Sequence, residues 1–251
     1  MQIDFFNTLT FQYNTGPIPP PFCHQYTLEI SSDETGNYHV DLDLEYFDRD
    51  EISEEEIIDE GYSLDDNYQW KGSLPKFWGE EILNMLKSAN WKKKPSLGPH
   101  GSEFVIKIDH HDKLEVIQPA DTRLWEVFAQ EIIQAVFELG KKESPLYISF
   151  VSKPSSDQIN QVEFEFSFAH RHIKTNKQKT IPWPVGQKLL KYIFGFDYLP
   201  ENSLENIPDD PGNYINPGDG FWYKLAPNKN AGTAASEKVE KLIETLISYA
   251  R

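Results

Sequence analysis

Apolar and polar residues alternate along short stretches of this chain, and the alternating stretches come in neighbouring pairs. Val40, Leu42, Leu44 and Tyr46 share one face of a predicted strand, and Asp41, Asp43 and Glu45 share the other. A period of two marks a half-buried strand, because successive side chains leave opposite faces of the sheet. Tyr26–Ile30 precedes Val40–Tyr46 with Gly36-Asn37 as the turn, and Phe104–Asp109 precedes Leu114–Ile117 with His110-His111-Asp112-Lys113 between them. Leu146–Val151 precedes Val162–Phe168, in which Val162, Phe164, Phe166 and Phe168 align. Segments joined this closely pair antiparallel, since a parallel partner needs a crossover of about a dozen residues or more.

Two helices stand out by their 3.6-residue period. Thr122–Leu139 carries its polar residues on a narrow stripe that includes Glu126, Gln130, Gln134 and Glu138 and ends at Gly140, which predicts a largely buried, central helix. Val239, Leu242, Ile243, Leu246, Ile247 and Ala250 mark a surface helix with one buried face, with Ser236 as its expected N-cap. Turn-forming residues crowd Pro200–Gly220, which reads as irregular, and Phe221-Trp222-Tyr223 reads as a short strand after it.

The chain also resembles itself. Leu74–Leu83 aligns without gaps to Ile181–Leu190, matching Pro75 with Pro182 and Gly79 with Gly186. A proline in the first helical turn loses no hydrogen bond, so both stretches read as helix starts. The expected fold class is therefore α+β, a mostly antiparallel sheet built from β-hairpin–helix units in a weak internal repeat, with helices mainly on one face. Residues 1–97 form the first expected unit and carry an insertion at about 47–70. Residues 98–251 hold two further units, the irregular segment and the last helix, in one domain or two closely packed halves.

Composition narrows the function classes. With 39% apolar and 25% charged residues the chain is globular in type. Cys23 is the only cysteine, which excludes an intrachain disulfide and any zinc site needing two thiolates. The opening MQIDFFNTLT lacks a secretory pattern, and no apolar run nears the ~20 residues that span a bilayer, so a cytoplasmic protein without membrane contact is expected. A net charge of −16 repels phosphates, so no direct nucleic-acid binding is expected.

That charge is concentrated. Asp41–Asp66 holds thirteen acidic residues against one base, Arg49, a net −12 out of −16. Within it Ser53 and Glu56 form a capping-box pattern, Glu54 and Glu55 suit a first helical turn, and Gly61 suits its end. A short acidic helix tacked down by Ile52, Ile57 and Ile58 is predicted. The corresponding place in the other copy is basic, His170–Lys179, and Lys92-Lys93-Lys94 adds a second basic cluster. The expected function is non-catalytic: an acidic surface, Asp48, Asp50, Glu51, Glu54, Glu55 and Asp59, that docks a basic protein surface or a second copy of the chain.

Catalytic patterns are sparse. Phe104–His111 resembles the apolar-strand-then-DHH motif of the DHH phosphoesterases, but the upstream carboxylate elements of that family are missing and turn polarity accounts for Asp109–Lys113. Cys23 and His24 are adjacent in an extended segment and so point apart. His170 and His172, at i and i+2, suit one face of a strand and a two-histidine metal site. The alternative function is thus a small-molecule hydrolase or metal-dependent enzyme with its site near His170, His172 and the 198–223 loop. No cofactor motif is present, so none is expected.

Overall fold

A computed structural model describes residues 3–226 and 233–250, except 34, 93–95, 99, 100, 112, 156 and 157. The chain divides into two compact units, Met1–Glu143 and Ser144–Arg251. The sequence-based division at residue 97 cuts the first unit, because a strand after that point pairs with the first strand of the chain.

In the first unit β1 (Thr8–Asn14), β2 (His24–Ser32), β3 (Tyr38–Tyr46) and β4 (Tyr68–Leu74) run as an antiparallel meander. Helix α2 (Phe77–Ser88) follows β4; α1 (Glu54–Asp59) lies between β3 and β4. β5 (Glu103–His110) and β6 (Lys113–Ile117) then add to the other side of β1, giving the order β4-β3-β2-β1-β5-β6, and α3 (Thr122–Leu139) closes the unit. The turn between β2 and β3 is built by Asp33, whose carboxylate accepts from the Thr35 and Asn37 amides while Gly36 takes φ 74°. These hydrogen bonds hold the Asp33 carboxyl far below its ordinary range.

Register puts Leu9, Phe11, Leu28, Ile30, Val40, Leu42, Ile106 and Ile108 on one face, and all of them are buried. Both long helices cover that face: Trp125 of α3 packs on Phe11, and Trp78 of α2 on Phe128 of α3. The opposite face carries Gln12, Thr27, Glu29, Asp41, Asp43, Gln69, Lys71 and Lys107 in register and is open and polar.

The second unit follows a like plan. β7 (Leu146–Ser155), β8 (Gln158–Ser167), β9 (His172–Thr175) and β10 (Thr180–Pro182) precede α4 (Trp183–Ile193). β11 (Gly212–Asn216), β12 (Tyr223–Leu225) and α5 (Thr233–Ala250) follow, and the sheet order is β10-β9-β8-β7-β11-β12. Ile148, Phe150, Phe164, Phe166 and Ile215 form its core with Leu189 and Ile193 of α4 and Leu242 and Leu246 of α5. The architecture is α+β, with two antiparallel sheets and five α-helices among the described residues. No helix among them is long and apolar enough to cross a membrane.

Several elements differ from the sequence reading. Four strands, not two, precede α2 in the first unit and α4 in the second. Helix α3 spans the expected residues and buries Phe128, Ile132 and Val136, yet Leu124 and Val127 are each 52% exposed, so it lies on the sheet with one side outward instead of centrally. Helix α5 begins at Thr233, three residues before the expected cap Ser236. Strand β11 runs inside the segment read as irregular, held by its pairing with β7.

Gly79 and Gly186 both sit where a helix crosses the third strand of its own unit. A Cβ on Gly79 would overlap the Tyr38 ring of β3, and one on Gly186 would overlap the Ile173 side chain of β9. Gly79→Ala and Gly186→Ala are each expected to lower stability by about 1–3 kcal/mol, since overpacking outweighs the ~1 kcal/mol helix-propensity gain of alanine. Urea unfolding of the two variants checks this, and a stabilised variant would contradict it.

Candidate functional site

The acidic segment forms a lobe carried on the connection between β3 and β4, residues 47–67. The chain leaves β3 through Asp48, which adopts the left-handed backbone that aspartate tolerates (φ 60°), and makes a single 3-10 turn over Arg49–Glu51. Helix α1 then starts at Ser53. The Ser53 hydroxyl accepts from the Glu56 amide, and the Glu56 carboxylate accepts from the Ser53 amide at 2.9 Å, completing the capping box. Those bonds hold the Glu56 carboxyl below its usual range. Gly61 follows the helix at φ 81°. Of the three expected isoleucine contacts Ile57 is buried and Ile52 half-buried, while Ile58 faces outward at 58% exposure, because a six-residue helix has only one inward position per turn.

Arg49, the lobe's one base, is turned inward. Its guanidinium donates to the Pro21 carbonyl (3.3 Å), the Ser63 carbonyl (2.7 Å) and the Asp66 carboxylate (2.8 Å). It also stacks over the rings of Tyr46 (4.1 Å) and Tyr62 (4.9 Å). Burial pushes the Asp66 carboxyl up, but its hydrogen bonds from Ser63 and Arg49 outweigh this and the net shift is downward. Asp66 in turn fixes Ser63, accepting from both its amide and its hydroxyl.

All six carboxylates singled out from the sequence, Asp48, Asp50, Glu51, Glu54, Glu55 and Asp59, lie on this lobe and are exposed. Among the described residues none of the six forms an ion pair. The remaining acids of β3 have partners on the open sheet face: Asp41 pairs with Lys71, Asp43 accepts from Gln69 (3.0 Å), and Glu45 accepts from Gln25 (3.0 Å). That face holds a shallow concavity of about 440 Å³ bordered by Gln12, Gln25, Asp43, Glu45, Glu103 and Lys107, which sequence reading did not anticipate. Its signal in the sequence was the polar half of each alternating strand.

In the second unit His170 and His172 do approach each other, their rings stacked with centroids 5.8 Å apart. His172 Nε2 lies 4.0 Å from a Glu165 oxygen. Among the described residues no group of three or more His, Cys, Asp or Glu side chains is placed to hold a metal ion. The 198–223 segment borders a cavity of about 1170 Å³ lined by Tyr192, Phe196, Leu204, Tyr223, Val239 and Leu242, among others, but by neither histidine. Strands β9 and β11 are separated by β8 and β7 in the sheet order, about 14 Å at the usual strand spacing. At the cavity the Tyr223 hydroxyl donates to Asp219 (2.7 Å), which raises its pKa, and burial raises that of Tyr198.

The basic stretch His170–Lys179 is partly committed within its own unit. Lys174 lies opposite Glu165 in the β8–β9 register, and the Lys177 ammonium donates to the Ala250 carbonyl at the end of α5, where a cation is favoured. Lys93 and Lys94 of the other basic cluster lie outside the described residues. Cys23 and His24 do diverge: the Cys23 sulfur is buried against Gly16 and Thr15, and the His24 Nδ1 donates to the Phe22 carbonyl (2.8 Å). Comparison of the chain with protein-family models, curated proteins and solved structures finds no match.

Proposed function

We propose that this is a non-catalytic binding protein whose acidic lobe docks a basic protein surface. The observation that carries the reading is the division of labour inside the lobe. Its one cation is spent on anchoring the lobe to the end of the sheet, and six carboxylates are left exposed without counter-charge. Mutually repelling carboxylates held on a fixed scaffold gain most when a cationic surface arrives, and complementary charge of this kind raises association rate and sets orientation. The capping box and the Arg49 contacts support the reading further, since they give the charges a defined presentation.

The two units read as copies of one ancestral hairpin-and-helix plan, supported by the shared strand order, by the Leu74–Leu83 and Ile181–Leu190 match, and by the corresponding crossings at Gly79 and Gly186. On that reading the lobe is an addition to one copy, since the corresponding β9–β10 connection is only residues 176–179. A cytoplasmic setting goes with the proposal, on the support of one buried free cysteine.

The test is a charge-neutralised variant, with Asp48 and Asp50 and Asp59 replaced by Asn and Glu51, Glu54 and Glu55 by Gln. Partners captured at low salt and released at high salt are identified, and their association rates with both forms are measured. The variant is expected to associate about tenfold or more slowly at low ionic strength, with a flattened salt dependence. Its fold should persist, because exposed charges contribute at most ~1 kcal/mol each. Unchanged rates and salt dependence would make the lobe a solubility feature.

A further inference from the structure

The edge of the first sheet at β6 offers a second, separate surface. In β5 the groups of Asp109 point at β1, because the Asp109 carbonyl accepts from the Asn7 amide (2.8 Å). Backbone groups of a strand alternate sides, so Ile108 and His110 point at β6 and engage Glu115 and Lys113, their register partners. The amides and carbonyls of Leu114 and Val116 therefore point away from the sheet. Gln118, next in the same phase, confirms the direction: its carbonyl accepts from the Lys92 amide on the outer side (2.8 Å). The antiparallel bridge between Trp91 and Pro119 covers the edge beyond Ile117. Before that point Leu114 and Val116 lie open, 68% and 56% exposed, with no backbone partner among the described residues. β6 carries neither a proline nor a bulge along its five residues.

We propose that β6 pairs antiparallel with β6 of a second copy, about a two-fold axis at Leu114. Charge selects both the occupant and the register. With the axis at Leu114, Lys113 of each copy faces Glu115 of the other on the helix-covered side, giving two reciprocal opposite-charge pairs, and the two Leu114 side chains meet on the open side. Leu114 exchanges both of its outward backbone hydrogen bonds with its counterpart. Moving the axis by one residue sets Glu115 against Glu115, which is repulsive. The same element shows why two such acidic chains tolerate this contact. The lobe joins β3 to β4 at the far edge of the sheet. Five strand spacings, about 24 Å, separate each lobe's edge from the junction, well over a Debye length of ~8 Å at physiological salt. The result is a continuous twelve-stranded sheet with both lobes outermost, and it does not depend on what the lobes bind.

Sedimentation velocity of the full chain over about 5–500 µM tests this, since a short edge contact gives a concentration-dependent dimer. The wild type is expected to dimerise within that range. Leu114→Pro removes an outward donor without touching a β5 hydrogen bond, and is expected to be monomeric with an unchanged circular dichroism spectrum. Lys113→Glu and Glu115→Lys are each expected to weaken dimerisation about tenfold or more. An equimolar mixture of the two is expected to restore it, because each then supplies the charges the other lacks. That rescue in trans separates pairing from misfolding, including any effect of Glu115→Lys on His110, 3.4 Å from the native carboxylate. A monomeric wild type throughout, a dimer that survives Leu114→Pro, or failure of the mixture to recover would overturn the proposal.

Discussion

Phe128→Ala is expected to lower the stability of the first unit by about 3–5 kcal/mol, a large part of the ~5–15 kcal/mol that a typical domain has. Phe128 is buried on α3, with ring centroids 6.1 Å from Trp78 of α2 and 6.2 Å from Trp125 of its own helix. Trp125 in turn packs on Phe11 of β1 and on Trp91. Removing the phenyl ring leaves a cavity between two helices and a sheet, and none of the surrounding indoles can collapse into it without leaving its own contacts. Val127 is adjacent in sequence but 52% exposed, so Val127→Ala is expected to stay within about 0.5 kcal/mol. Urea denaturation of the two variants provides the comparison. Equal losses, or a larger loss at Val127, would mean that α3 presents a different face to the sheet.

The contrast between those neighbours also shows how far the sequence could be read. Helix α3 was legible because its period is long, its stop Gly140 is local, and its apolar positions outnumber the polar ones. What the pattern could not say is that the circumference is wider than the surface available to bury it, so Leu124 and Val127 are left outside. Strand β1 alternates as cleanly as β3, with Leu9, Phe11 and Tyr13 against Thr10, Gln12 and Asn14, but has no hairpin partner nearby in sequence on its β5 side. Strand β11 lies between turn residues, Pro211 before it and Pro217 after it, and owes its conformation to pairing with β7, some sixty residues earlier in the chain. In the lobe the capping box was legible because both partners lie within one turn. The role of Arg49 was not, since its partners Pro21, Ser63 and Asp66 converge only when the β3–β4 connection folds back on the β1–β2 connection. One cation among thirteen acids, flanked by Tyr46 and Tyr62, was the available signal.

That convergence makes Arg49 the residue on which the lobe's order depends. Arg49→Met, which keeps much of the aliphatic stem, is expected to destabilise the lobe by about 2–4 kcal/mol. The figure sits toward the lower part of the range for breaking a buried ion pair, because the Arg49 and Asp66 side chains retain 12% and 22% exposure. The loss has three sources: the Pro21 and Ser63 carbonyls lose a donor, Asp66 keeps its charge without its cation, and two aromatic faces lose their stacking partner. Hydrogen exchange is the suitable measurement, since the effect is local. Amides of Ser63 and of the α1 turn are expected to lose protection, while β1, β2 and β5 keep theirs. Acid should reproduce the effect in the wild type. The folded-state pKa of Asp66 is depressed, so its contribution is present above the unfolded carboxylate value of ~3.9 and is lost as pH falls through the lower folded value. Lobe protection in the wild type should therefore survive to about pH 4 and fall below it, whereas Arg49→Met should have lost it already at neutral pH. If the lobe amides of Arg49→Met stay as protected as those of the wild type at neutral pH, the lobe is held by Ile57 and the capping box instead, and the inward turn of its only cation has no structural consequence.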